Sequence, residues 1–168
     1  DPSGVVIAEL TGDGRNDIAV TNRGSDTVRV FINNGADEFP TFSDFSTATA
    51  PRALAAADFD DDGDTDLAVA ALDATALVGV VQVYMNNGAG EFVLDSQTPL
   101  GSDPTALIAV DLDNQSGPDL AVADTGDDRV AVLFNGGVVF RAWQGFQLVR
   151  HFVCDDEPSS IQPGNIDN

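Results

Sequence analysis

The sequence predicts an all-β fold of β-propeller blades: three four-stranded repeats plus the start of a fourth, an incomplete ring within this chain. Three observations carry that prediction. An acidic loop recurs without a gap, as ELTGDGRNDIAV at 9–20, DFDDDGDTDLAV at 58–69 and DLDNQSGPDLAV at 111–122. A proline stands seven residues before each loop, at Pro2, Pro51 and Pro104, and Pro158 stands seven before Asn165, where NIDN restarts the pattern. The prolines are 49, 53 and 54 residues apart, a period that signals stacked copies of one supersecondary unit.

Each unit repeats its punctuation in the same order. The segment around the proline supplies a first strand, and the acidic loop follows. An alternating or apolar run comes next: DIAVTN, DLAVAAL and DLAVADT. A polar turn closes it in the first and third units (RGSD, TGDD), and a looser Ala-rich link in the second. A second β-type run ends in an Asn/Gly turn: TVRVFIN before NG, VVQVYMN before NG, RVAVLFN before GG. β-Branched and aromatic residues between such turns are strand signals. No segment keeps a 3.6-residue apolar period with caps, so little or no helix is expected. Units of about four strands and about 50 residues match propeller blades. The repeats divide the chain at about 1–49, 50–102 and 103–156, with a fourth starting at about 157–168.

Composition bounds the function. The 168 residues can bury one ordinary core, and 43% hydrophobic content argues against disorder. The net charge is −21, from 28 acidic residues against 7 basic ones, all arginine. Such a chain offers no basic patch to nucleic acid, is repelled by anionic membrane surfaces, and takes cations as counter-partners. No run reaches the ~20 apolar residues of a membrane helix, and no signal peptide is visible. The single cysteine, Cys154, excludes an intrachain disulfide. A first residue of Asp rather than Met reads as a processed or excised piece of something longer.

Six of the nine residues 58–66 are aspartate. Like charge crowded in this way is a solvated acidic turn, a mate for a basic partner, or a metal loop. Counted from Asp58, carboxylates fall at positions 1, 3, 5, 7 and 9 (Asp58, Asp60, Asp62, Asp64, Asp66), with Gly63 at 6. Alternate residues of a curling loop can surround a point, and glycine permits the reversal. Calcium takes six to eight hard oxygens. The expected set is the side chains at 1, 3, 5 and 9 with the backbone carbonyl of Asp64 at 7. Magnesium has stricter geometry, and zinc would need softer ligands than these loops hold. An EF-hand is excluded by Val69 at position 12, where it needs Glu, and by flanking strands. The first loop offers Glu9, Thr11, Asp13, Arg15 (by its carbonyl) and Asp17. The third offers Asp111, Asp113, Gln115, Gly117 (by its carbonyl) and Asp119. Each keeps three carboxylates, so weaker calcium sites are expected. Ser116 replaces the glycine of position 6, so the third loop is expected to curl differently. A fourth site begins with Asn165 and Asp167 and cannot be completed within the chain.

Asp58, Asp60, Asp62, Gly63 and Asp66, with LAV after them and with their counterparts in the other units, resemble the FG-GAP/VCBS repeat family, the calcium-loop blades of integrin-α-type propellers. The resemblance covers essentially the whole chain. It implies calcium in blade loops and a role in adhesion or surface recognition outside the cell, with some members attached to enzymes.

Other signals weigh less. His151 has no nucleophile motif beside it. Phe140, Trp143, Phe146 and Phe152 read as core packing. The sequon Asn114-Gln115-Ser116 sits inside a metal loop. The expected function is a non-catalytic, calcium-stabilised extracellular propeller segment for adhesion, recognition or assembly, with a protein or glycan ligand. The alternative is the propeller portion of a secreted enzyme, such as a polysaccharide-degrading one, whose catalytic residues lie elsewhere. Three blades leave two apolar faces bare. The expected partners are therefore further blades of a longer parent chain or copies of this one, in an oligomer or a head-to-tail filament.

Overall fold

A computed structural model describes residues 1–36, 38–139, 142–154 and 160–161. The first repeat forms β1 (Pro2–Glu9), β2 (Asn16–Asn22), β3 (Thr27–Ile32) and β4 (Thr41–Ser46), one antiparallel sheet in chain order. The second forms β5 (Thr49–Ala57), β6 (Asp66–Asp73), β7 (Val78–Asn86) and β8 (Phe92–Pro99) in the same way. In the third, β9 (Pro104–Val110), β10 (Asp119–Asp124) and β11 (Arg129–Asn135) are followed by a small hairpin, β12 (Val138–Val139) with β13 (Ala142–Trp143). The fourth strand of that sheet is then β14 (Phe146–Val153), paired with β11. The one helical element among the described residues is a 3₁₀ turn at Thr125–Asp127. The architecture is all-β and blade-like, and the described residues close no ring.

The blades stack because their second and third strands carry two apolar faces. Along β6, Leu67 and Val69 face the first blade and pack with Leu10, Ala19, Val28, Val30, Leu54 and Tyr84. The alternate residues Ala68 and Ala70 face the third blade and pack with Val81, Val83, Leu107, Leu120, Val122 and Leu133. Large residues on one face and small ones on the other let neighbouring sheets interdigitate. The first strands β1, β5 and β9 contact one another in series, whereas β4 and β8 lie outside with largely exposed side chains. The proline-bearing segments are thus the inner strands.

The first blade has no neighbour on its other side among the described residues. Val5, equivalent to the buried Leu54 of the second blade, is 65% exposed, and Ile7 and Phe42 are 64% and 54% exposed. Arg29 covers part of this face, stacked 3.9 Å over the Phe42 ring and paired with Asp44 at 2.7 Å.

Each acidic loop joins the first two strands of its blade. The reversal needs two left-handed residues per loop: Gly12 and Gly14, Asp61 and Gly63, Asn114 and Gly117. Gly, Asn and Asp are the residues that adopt this conformation at least cost. The third loop does curl differently. Ser116 stays out of the left-handed region and the role passes to Gly117, one position later.

A candidate metal centre in the blade loops

The position-9 aspartate anchors every loop. Asp66 is buried, and its two oxygens accept the Phe59 N–H at 3.0 Å and the Asn86 N–H at 2.9 Å. Asp17 accepts Leu10 N–H at 3.1 Å and Asn33 N–H at 2.8 Å. Asp119 accepts Leu112 N–H and Asn135 N–H, both at 2.8 Å. One carboxylate thus ties the second residue of the loop to the end of the blade's third strand, three times over.

In the second loop, Asp58, Asp60 and Asp62 bring one carboxylate oxygen each within 4.8 Å of one another. Their other contacts shape the turn: Asp58 accepts from the Asp62 and Gly63 amides at 3.2 and 2.9 Å, and Asp62 accepts from the Asp64 amide at 2.9 Å. Oδ1 of Asp60 is buried and has no hydrogen-bond partner. Burial, and then the neighbouring Asp62 and Asp58, push the Asp60 carboxyl above the usual range. Asp66 is pushed up to about 7, chiefly by burial, against the pull of its two amide donors. Asp66 stands beside this group rather than within it. The Asp64 carboxylate turns away to the β7–β8 turn, where a β-carbon on Gly88 would lie 2.6 Å from both its oxygens. Asp61 points to solvent.

In the third loop, Asp111, Asp113 and Asp119 form the equivalent cluster within 4.8 Å. Asp111 accepts from the Asn114 amide at 2.7 Å, and Asp113 from the Gln115 amide at 2.9 Å. Gln115 folds back on Asp113 at 3.4 Å rather than joining the group. Burial raises the Asp119 carboxyl as well. Among the described residues, no arginine pairs with a carboxylate of the second or third loop. A divalent cation fits both loops: clustered hard oxygens, like charge without an internal counter-charge, and in the second loop an orphaned buried carboxylate oxygen.

The first loop is arranged differently. Glu9 Oε1 accepts the Thr11 and Asp13 amides at 3.0 and 3.1 Å. The Thr11 hydroxyl donates to Asp17 at 3.2 Å. The Arg15 side chain pairs with Asp13. Glu9, Asp13 and Asp17 form no cluster of the kind seen in the other two loops. Asn165 and Asp167 lie outside the described residues.

Sequence reasoning missed the asparagines that end the third strands. The Asn86 amide donates across the blade boundary to the Leu10 carbonyl at 2.9 Å, and within its own blade to Thr65 at 2.9 Å. Asn135 does the same with the Phe59 carbonyl at 2.9 Å and Pro118 at 3.1 Å. Asn33, on the uncovered side of the first blade, bonds Asn16 at 3.0 Å. Leu10 and Phe59, whose carbonyls are taken, are each 1% exposed, whereas Leu112 is half-buried. The position-2 residue of the first and second loops is therefore held twice: its N–H by its own loop's aspartate and its C=O by the next blade's asparagine. The signal was present as FIN, YMN and LFN, and it reads as turn chemistry when taken alone.

His151 is exposed and Cys154 half-buried, with Sγ 3.8 Å from the Phe152 carbonyl. Phe146 packs edge-on to Phe59 at 5.7 Å, Phe152 is largely exposed, and Phe140 lies outside the described residues. Among the described residues no helix is long and apolar enough to cross a membrane. No curated protein matches the chain at a significant level. The model of the FG-GAP-like repeat matches twice, over residues 10–69 and 58–122, each span running from one acidic loop through the next. The chain belongs to the FG-GAP-like repeat family.

Proposed function

We propose that the chain is a calcium-stapled, non-catalytic segment of a propeller that works outside the cell in adhesion, recognition or assembly. The observation that carries the calcium reading is the second loop. Three carboxylates converge there, and one of their oxygens is buried without a partner. In that loop Asp58, Asp60, Asp62 and Asp66 would hold the ion with the Asp64 carbonyl. In the third, Asp111, Asp113 and Asp119 would hold it with the Gly117 carbonyl. The ion supplies the positive charge that the loops lack. The residues do the rest: the position-9 aspartate fixes the position-2 peptide, and the next blade's asparagine docks on that peptide. Occupancy of a loop thereby orders the surface on which the following blade packs.

The family resemblance supports an extracellular setting and a recognition role. The exposed apolar face of the first blade supports a partner there: a further blade of the same kind, on a longer chain or on another copy. Val5 and Ile7 would then be buried as Leu54 is, and Asn33 would gain the cross-blade acceptor that Asn86 and Asn135 have.

Heating scans test the reading. Without metal, burial holds the proton on Asp66 up to about 7 in the folded state, while the unfolded carboxyl releases it at its ordinary value near 3.8. Between these values the native state binds more protons, so stability falls as pH rises. Asp60 and Asp119 shift the same way. Asp44 and Asp73, lowered by Arg29 and by the Ala76 and Thr75 amides, act oppositely but are exposed and screened. EGTA-treated protein should therefore melt about 5 °C lower at pH 8 than at pH 5. Calcium needs ionised ligands, so millimolar Ca²⁺ should raise Tm by about 5–10 °C at pH 8 and by less at pH 5. An unchanged Tm at pH 8 would sink the proposal.

A further inference from the structure

The first loop departs from the other two in a direction opposite to metal binding. Position 7, Asp64 in the second loop and Gly117 in the third, is Arg15 here. Its guanidinium Nη2 pairs with the position-5 carboxylate of Asp13, and its backbone N–H donates to the same carboxylate at 2.9 Å. Its Nε donates to the Asn33 carbonyl at 3.1 Å, at the end of the third strand that Asp17 also holds. The aliphatic stem lies along Gly35, where a β-carbon would sit 3.2 Å from Cδ. The position-3 carboxylate is lost to Thr11, whose hydroxyl is spent on Asp17. The acid at position 1 is the longer Glu9, which caps two loop amides. Three carboxylates and one guanidinium thus stand where the second loop has six carboxylates.

We propose that Arg15 takes the ion's place in the first loop, as a built-in counter-cation that links Asp13 to the end of β3 and leaves this blade metal-independent. This rests on the calcium reading of the other two loops. An exposed ion pair contributes little to stability by itself. The decisive effect is repulsion, because a fixed positive charge in contact with one carboxylate of the loop opposes a divalent cation there. At a separation of a few ångströms, even in high dielectric, this weakens binding on the order of tenfold or more. Chelation would then loosen the second and third loops and spare the first.

Calcium titration calorimetry on the whole chain tests the assignment. The chain should bind no more than two ions, and Asp13→Asn should leave the stoichiometry unchanged. Arg15→Gln, which removes the charge and keeps most of the stem, should add one weaker ion, and Arg15→Lys should not. Three ions in the unaltered chain, with one lost in Asp13→Asn, would overturn the inference while leaving the calcium reading intact. Failure of Arg15→Gln to gain an ion would also overturn it. No binding at all would remove the calcium reading and this inference with it.

Discussion

Asp66→Ala is expected to be the most damaging single substitution in the loops. The side chain is buried and satisfies the Phe59 and Asn86 amides at 3.0 and 2.9 Å. Its loss strands two buried donors, each costing about 1–3 kcal/mol. The total should be about 3–4 kcal/mol even without metal, a fall in Tm of about 10 °C. On the calcium reading the gap should widen when the ion is present, since the variant would also forfeit a proposed ligand. Asp61→Ala, three residues from the edge of the same loop and pointing to solvent, should change stability by less than about 0.5 kcal/mol. Chemical denaturation of both variants in EGTA and in calcium measures this. Equal losses would show that the position-9 carboxylate is not the anchor.

Asn135→Ala is expected to follow closely. It removes two donations, to Phe59 and Pro118, and an acceptance from the Gly137 amide at 2.8 Å. All three partners lose a bond where water enters poorly, so the cost should be about 3 kcal/mol. Asn33→Ala is the internal control. Asn33 is half-buried and its side-chain amide bonds only within its own blade, so its loss should cost about 1 kcal/mol or less. A cost for Asn33→Ala matching that for Asn135→Ala would mean that the cross-blade bond contributes nothing beyond turn formation. The comparison isolates the blade boundary because both residues stand at the end of their blade's third strand and each side chain accepts the amide two residues on, Gly35 and Gly137, at 2.8 Å.

The recurrence of Asp, Leu or Ile, Ala and Val after each loop made the blades legible from sequence, because the alternation that stacks Leu67 and Ala68 on opposite faces is a period-two signal. The loops were legible because their acidic residues fall at alternate positions and two of the three place glycine at position 6, where the chain reverses. Three features were hidden, each for a physical reason. The second left-handed residue of the third loop is Gly117, not position 6, because the loop moves its reversal along to the glycine it has. The hairpin β12–β13 interrupts the third blade without disturbing its pairing, since β14 simply reaches β11 from farther along the chain. The asparagines that bridge blades look like ordinary turn residues, and only the stacking of sheets reveals that their amides cross to Leu10 and Phe59. Arg15 illustrates a further limit. Its side-chain direction decides whether its charge serves the loop or leaves it, and sequence spacing does not state that direction.

The central claim is that an ion in the second loop orders the Phe59 peptide on which the third blade docks. Amide hydrogen exchange on the whole chain, in EGTA and in saturating calcium, measures this directly. Calcium is predicted to slow exchange across residues 58–66 by about tenfold or more, and to slow it in step across Arg129–Asn135, the strand whose asparagine grips that peptide. The first loop, residues 9–17, should change far less. Exchange in 58–66 that is the same with and without calcium would contradict the account, as would protection of that loop with no change in the strand of the third blade.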